Sequence, residues 1–416
     1  MRYNKELTAG KAIQKGPEPN EAVFPMIQHV GEACEPLVDI GAKVKVGQKI
    51  AEAKAFITAP IHSSISGIVT GIMEKPHPIG TAVKAIIIDN DWQNTPDESI
   101  KPYPALEQMT AEEIVEAVKE AGIVGLGGAT FPTHVKLSPP KQNKIDTLIL
   151  NGAECEPYLT SDHRVMLERA GDIIYGAKAM AKALNVSKII IAIEDNKEDA
   201  IKKLTEEAQK GRLQMDVFIL KTQYPQGSEK ILVKTVLGRK LPPLGLPLDA
   251  GVVVHNVSTA AQVGKTLKTG LPLIDRVVTV GGEFKPIAGN YLVKLGTPMS
   301  YLLTELQNVK LRRPKPFKLV MGGPMMGLAQ WTMEVPVIKG TTGILTLSPY
   351  NLKEWACIRC GRCIKACPMG LQPLFDADDS CIECGCCAYI CPAKRQLVQR
   401  IKVAKAERRK EREANR

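Results

Sequence analysis

The chain has 416 residues and a formal charge of +11, from 55 Lys and Arg against 44 Asp and Glu. That length exceeds one ordinary hydrophobic core, so about two to four domains are expected. No run approaches the ~18 apolar residues of a membrane span and the start has no apolar signal core, so the chain is expected to be cytoplasmic and to cross no membrane alone. The charge is not a nucleic-acid footprint. Residues 394–416 hold ten Lys/Arg and three Asp/Glu, and aromatic residues are only 5% of the chain, too few for a base-stacking platform.

In chain order, residues 1–100 read as short strands, with Gly41, Gly47 and Gly67 as punctuation. The phrases VKVGQKIAEA and SISGIV resemble the barrel-sandwich fold of biotinyl and lipoyl carrier domains. Lys54 lacks the Met-Lys-Met or Asp-Lys-Ala setting of a modified carrier lysine, so a structural use is expected. A proline-rich linker, DNDWQNTPDESIKPYPAL, follows. Thr110 and Glu113 then form a capping box that opens a helix, TAEEIVEAVKEAG, stopped at Gly122. Beyond it alternate strand IDTLIL, helix SDHRVMLERAGDIIYGAKAMAKAL, strand KIIIAI, helix NKEDAIKKLTEEAQK and strand MDVFIL. Such exchange predicts a mainly parallel sheet covered by helices, an α/β core over about 105–265. Residues 270–350 read as a small α+β module, with strands RVVTVGG, FKLVMGG and GILTLS and a helix near 299–306.

Inside the core lies GIVGLGGATFPTHVK, residues 122–136. Gly125, Gly127 and Gly128 let the backbone approach a ligand and turn N–H groups toward an anion such as phosphate, and Lys136 adds a cation. This is not a dinucleotide fingerprint, because Thr130 stands in the sixth position and the loop follows a helix. NGAECEP, residues 151–157, follows strand IDTLIL directly, and ligands of open α/β sheets bind at the carboxyl ends of strands.

The last motif is a doubled one: Cys357, Cys360, Cys363, Cys367-Pro368, then Cys381, Cys384, Cys387, Cys391-Pro392. This is the spacing of bacterial two-cluster ferredoxins, in which three close thiolates hold one [4Fe-4S] cube and the fourth crosses to the other. One cluster would take Cys357, Cys360, Cys363 and Cys391; the other, Cys381, Cys384, Cys387 and Cys367. Structural zinc, usually closed by two separated pairs, and disulfides in a reducing compartment fit this pattern worse. Cys386 is a ninth thiol with no ligand role, while Cys34 and Cys155 read as buried small hydrophobes. The basic tail reads either as a solvated helix or as a docking arm for an acidic partner or anionic membrane.

GLGGATFPTHVK followed by NGAECEPYLTSDHR looks like the flavin-binding core of the NADH-oxidising subunit of complex I, whose relatives carry RGRGGAGFPTGLK and NADESEPG. With the N-terminal sandwich, the GGPMMG loop at 322–327 and the twin cysteine runs, nearly all of 1–395 resembles the C-subunit family of Rnf complexes, which are ion-translocating ferredoxin:NAD oxidoreductases. The resemblance implies a barrel-sandwich domain over 1–100, an FMN- and NAD(H)-binding core over 105–265, and a β-grasp module over 270–350. A two-[4Fe-4S] ferredoxin-like domain over 351–395 and a basic helical tail over 396–416 complete it. Gly125, Gly127, Gly128 and Thr130 would line a non-covalent FMN and its phosphate, with Lys136 as positive charge and Phe131 at the stacking face. Asn151 and Glu154 match flavin-contacting positions, Glu156 and Glu229 match acids near the nicotinamide nucleotide, Asn256 in HNVST matches the asparagine of the family's INNVET segment, and Gly227 is a further expected cofactor-binding position. Ala153 and Cys155 replace an Asp and a Ser of the complex I pattern, and Leu244 lies near its nucleotide-stacking Phe.

By the same resemblance, NADH gives hydride to the flavin, or receives it when ferredoxin is oxidised, and electrons pass singly through two clusters. No side-chain acid or base is expected to be catalytic. The implied place is the cytoplasmic face of a bacterial or archaeal membrane, against the membrane subunits of an Rnf-type complex, one of them a ferredoxin-accepting iron-sulfur subunit. Two alternatives are a cobalamin-reducing flavoprotein of bacterial microcompartments and a non-enzymatic iron-sulfur relay. The first would carry a distinct C-terminal extension and the second would lack the glycine-rich loop. The soluble subunits of complex I or hydrogenase type hold one cluster and no sandwich, and their relative in the Na+-pumping quinone reductase lacks the cysteines.

Overall fold

The computed structural model describes residues 3–242, 245–283, 285–307, 317–349, 353–374 and 379–414, so Leu244 lies outside the described residues. Strands Glu21–Pro25, Ala82–Asn90, Gly67–Pro76 and Lys43–Val44 form one antiparallel sheet in that order. Glu35–Pro36, Lys49–Glu52 and Ile61–His62 form a second. Along Gly67–Pro76 the first residues alternate, with Gly67, Val69 and Gly71 buried and Ile68 and Thr70 exposed, the period of a strand with one covered face. Phe24, Ile50, Ile61, Ile65 and Ile86 fill the space between the two sheets, which make the expected barrel-sandwich. Ile13–Lys15 does not join them. It pairs in parallel with Gly289–Lys294, far along the chain.

The α/β core is a four-stranded, wholly parallel sheet in the order Asp216–Leu220, Lys188–Glu194, Thr147–Gly152, Val252–Asn256. Its central strands are near-continuous apolar runs because both faces are covered. Ala111–Glu120 opens with the capping box between Thr110 and Glu113. The helix expected over 161–184 is two, Ser161–Glu168 and Ala170–Leu184, broken at Arg169. At the break Glu168 accepts the Ile13 backbone N–H, fixing the displaced N-terminal strand. Ala170–Leu184 packs on Val257–Thr269 at backbone distance: a Cβ on Gly176 would lie 1.9 Å from the Ala260 carbonyl oxygen, and one on Gly264 2.1 Å from that of Asp172.

The sheet order puts the first strand, Thr147–Gly152, beside the fourth, Val252–Asn256, and Asn151 is the register partner of Asn256. The helices that follow these two strands pack on each other, and in open α/β sheets the crevice at the carboxyl ends of the strands is where ligands bind. The fourth sheet is mixed and six-stranded, in the order Ile13–Lys15, Gly289–Lys294, Asp275–Gly282, Gly343–Leu347, Lys318–Met321, Leu328–Ala329. With helix Met299–Gln307 it makes up the small α+β module.

The cysteine region carries a backbone repeat. Arg359 and Glu383 take φ of 54° and 55°, Gly361 and Gly385 take 69° and 80°, and Gly370 and Lys394 take 70° and 52°. Short helices Arg362–Lys365 and Cys386–Ile390 occupy matching places. The basic tail is a helix, Leu397–Ala414, folded back on this module with Leu397 and Ile401 buried. Its cations meet acids: Arg400 with Glu354 at 3.0 Å, Lys405 with Glu383 at 2.6 Å, and Arg408 and Arg412 with Asp379. No described helix is long and apolar enough to cross a membrane.

Candidate functional site

The glycine-rich loop is a closed turn at the crevice. The Gly125 N–H donates to Phe131 O (2.8 Å) and the Thr130 N–H to Gly125 O (3.2 Å). Three other segments hold it: Thr259 Oγ1 accepts the Leu126 N–H (2.9 Å), Arg276 Nη2 donates to Leu126 O (2.9 Å), and the Val30 N–H from the sandwich donates to Thr130 O (3.2 Å). Its tip, Gly127, Gly128 and Ala129, is exposed. A Cβ on Gly128 would meet nothing within 4 Å, whereas one on Gly127 would press on Asn256 at 3.2 Å. Gly128 has φ of +120°, a conformation that glycine adopts without strain.

The strand ends bring most of the remaining expected residues together. Asn151 Nδ2 donates to Gly227 O (2.9 Å), and Asn151 Oδ1 accepts the Ala153 N–H (3.1 Å). Lys136 Nζ donates to Glu229 Oε1 (2.8 Å) and to Val254 O (2.5 Å), so its charge is directed first at a carboxylate of the chain itself. Asn256 Oδ1 caps helix Val257–Thr269 by accepting the Ser258 N–H (2.8 Å). Buried Glu154 accepts the Asp162 N–H (2.8 Å) at the start of helix Ser161–Glu168 and faces Lys5 Nζ at 3.7 Å. Glu156 is turned elsewhere. Its carboxylate accepts the Met325 N–H (3.1 Å) and the Met326 N–H (2.8 Å) of the GGPMMG loop.

Several residues without an assigned role complete the site. Asp162 binds Asn256 Nδ2 (2.7 Å) and Ser258 Oγ (2.5 Å), joining two helix starts beneath the loop. Burial, then the Glu154 charge, pushes its carboxyl up to about 6 against Ser258, Asn256 and Arg276. Burial lowers Arg276 to about 10 and raises the Cys155 thiol to about 12. Lys339 is wholly buried, donates to Pro60 O (2.6 Å) and Gly122 O (2.8 Å), and burial lowers it to about 7. Its neighbour Gly340 supports the loop: a Cβ there would lie 2.6 Å from Thr130 Cγ2. Asp162 stood inside a motif that the sequence displays; Lys339 and Arg276 stood in none.

The cysteine module docks beside this crevice. Tyr224 Oη donates to Cys384 O (2.7 Å), and Met325 O would lie 3.0 Å from a Cβ on Gly385. Cys367, Cys381, Cys384 and Cys387 line one pocket, together with Cys386. Cys363 is buried, and burial raises its thiol, with neighbouring Cys391 and Cys360 adding to the shift. Cys357 and Cys360 are exposed. Backbone N–H groups of Arg359, Leu371 and Glu383 point at Cys357, Cys367 and Cys381 Sγ, each at 3.4 Å. Among the described residues no three His, Cys, Asp or Glu gather closely enough for a metal ion; the four pocket thiols ring a space instead. Such a donor set suits a cube held at its corners. The exposed glycine tip over open space, with no carboxylate in the loop, likewise suits a flavin phosphate.

Residues 118–265 match the family model described as the Nuo51 FMN-binding domain, and residues 1–93 the one described as the RnfC barrel sandwich hybrid domain. The C subunit of the Na+-translocating ferredoxin:NAD+ oxidoreductase complex of Acetobacterium woodii is 44% identical over 91% of this chain and 85% of its own. The C subunit of the proton-translocating ferredoxin:NAD+ oxidoreductase complex of Clostridium ljungdahlii is 43% identical over 89% of this chain and 80% of its own. Among solved structures, a chain of an NAD+-reducing [NiFe]-hydrogenase in the H2-reduced state aligns with 60% of this chain and 49% of its own, at 22% identity and a TM-score of 0.46. Sandwich, flavin-type core and full-length likeness to the two C subunits agree, and the chain belongs to the RnfC family, the C subunits of ion-translocating ferredoxin:NAD+ oxidoreductase complexes.

Proposed function

We propose that this chain is the peripheral NAD(H)-reacting subunit of such a complex, at the cytoplasmic face of the membrane, with FMN in the crevice and a [4Fe-4S] cluster on each cysteine set. The observation that carries the reading is the pair of strand ends: Asn151 and Asn256 lie side by side, under an exposed glycine tip, with the second cysteine repeat docked beside them through Tyr224. FMN, when bound, supplies hydride exchange with a nicotinamide and one-electron exchange with clusters.

The side chains bind and orient. Gly125, Gly127, Gly128 and Thr130 would present backbone to the phosphate, Asn151, Glu154 and Asn256 would set the flavin's position, and Phe131 would offer an aromatic face. Glu156, Gly227 and Glu229 would border the nucleotide, Lys136 being held between Glu229 and Val254 O until an anion competes for it. The named relatives differ in the ion they move, Na+ in one and protons in the other, which supports leaving the ion path to the membrane subunits.

An anaerobic spectrum of the reconstituted full chain, with iron and flavin quantified, tests this. About eight irons and one FMN, with the flavin band bleaching on NADH, are expected. Iron without flavin, and no response to NADH, would reduce the chain to a cluster relay.

A further inference from the structure

The two cysteine repeats share a backbone but not an environment. The second is enclosed. Tyr224 Oη reaches Cys384 O, Met325 abuts Gly385, and Lys405 of the C-terminal helix donates to Cys381 O (3.0 Å) and pairs with Glu383. The first is held only along its backbone edge, where the Trp355 N–H donates to Ala393 O and Arg395 donates to Trp355 O, and its outer face is open: Trp355 to Cys360 are exposed without interruption, Trp355 at 61% and Ile358 at 67%.

The rim of this face is basic. Lys353, Arg359, Arg362 and Lys365 are all exposed, and Lys353 Nζ lies 5.4 Å over the Trp355 ring. Glu354, the single acid in residues 353–365, is turned to Arg395 and Arg400. Arg359 and Glu383 occupy the same place in the two repeats, with φ of 54° and 55°. Glu383 is answered within the chain by Lys402 and Lys405, whereas Arg359, Arg362 and Lys365 make no ion pair among the described residues. An aromatic and aliphatic centre ringed by unanswered cations is complementary to an acidic protein surface.

We propose that the first cysteine repeat, centred on Trp355, Ile358 and Arg359, is the docking face for an acidic surface of a partner subunit, which it brings against Cys357 and Cys360. This rests on the complex-subunit reading above.

The full chain, reconstituted with iron, sulfide and FMN, is added to membranes that hold the other subunits of the complex but lack this one, and binding is measured against ionic strength. The combined Arg359→Glu, Arg362→Glu and Lys365→Glu variant should bind at least tenfold more weakly with a shallower salt dependence. Its iron content and the bleaching of its flavin by NADH should match the unmutated chain. Arg359→Glu alone installs at φ 54° the residue type that the second repeat already carries at 55°, and should weaken binding at least threefold, which decides the matter if the triple variant loses iron. Binding of the triple variant within twofold of the unmutated chain overturns the proposal. So does equally tight binding of the unmutated chain to protein-free vesicles of the same lipids, which would make this a lipid-reading face. A flavin that NADH fails to bleach counts against the functional reading alone, since the docking result is read from binding.

Discussion

Lys339 is the charge with the least visible excuse for its position: an ammonium wholly enclosed, facing the carbonyls of Pro60 and Gly122. Unfolded, a lysine keeps its proton to about pH 10.4; folded, this one keeps it only to about 7 because burial disfavours the charge. Between those values the unfolded chain binds more protons, so the contribution of Lys339 to stability rises with pH across that window, by at most about 1.4 kcal/mol per pH unit. Anaerobic thermal unfolding from pH 7 to 10 should therefore show a rise in the unmutated chain that is flatter in Lys339→Met, and parallel curves would sink the assignment. Gly323 makes a steric case. A Cβ there would lie 2.2 Å from Glu156 Oε2, inside the clasp between Glu156 and the Met325 and Met326 N–H groups. Gly323→Ala should cost roughly 1–3 kcal/mol in the same unfolding measurement while leaving FMN content intact. Glycines 125, 127 and 128 were legible because they repeat within one short loop. Lys339 was not, since its two partners lie 279 and 217 residues away and its own surroundings, VIKGTTG, carry no motif.

Secondary structure read well wherever a two-face apolar strand or a capped helix carried its own signal, as in Lys188–Glu194 and in Ala111–Glu120 with its Thr110–Glu113 box. The break at Arg169 escaped because no proline marks it and the nearby Gly171 lies within the second helix; Glu168 beside it meets Ile13, a tertiary contact. The same limit hid the strand Ile13–Lys15, three residues whose ladder lies beside Gly289–Lys294, far along the chain. The cysteine repeats were legible as a count and a spacing, but their unlike exposure was not, because cover comes from Tyr224, Met325 and the C-terminal helix. Pairing across the repeats has a direct consequence. Cys367 lines the pocket of Cys381, Cys384 and Cys387, and Cys391 neighbours Cys363. Cys367→Ser should therefore resemble Cys384→Ser, and Cys391→Ser should resemble Cys360→Ser, in the spectrum of whichever cluster survives, with bound iron falling from about eight to about four in each. Low-temperature electron paramagnetic resonance of the four reduced variants separates the two sets. Spectra grouped as Cys367 with Cys360 would refute the crossing.

At the scale of the molecule, the crevice is a meeting place of three modules. The sandwich touches the loop through Val30, the α+β module through Gly340 and Arg276, and the α/β core through Asn256. The basic tail belongs to this assembly as a clamp on the second cysteine repeat. Leu397 and Ile401 bury its first turns, and beyond them Lys402 and Lys405 meet Glu383 while Arg408 and Arg412 meet Asp379. Surface pairs of this kind are individually worth about 0–1 kcal/mol, so their concentration on two acids flanking Cys381 matters more for access to the pocket than for global stability. A chain ending at Ile401 keeps the buried turns and loses all four cations. It should fold, bind FMN and hold iron as the full chain does, yet release iron to a chelator several-fold faster from the second site than from the first. High salt should speed that release in the full chain and change little in the truncated one, because screening removes only pairs that are present. If both chains release iron at one rate, the tail does not guard the second site, and its charges answer to something outside the molecule.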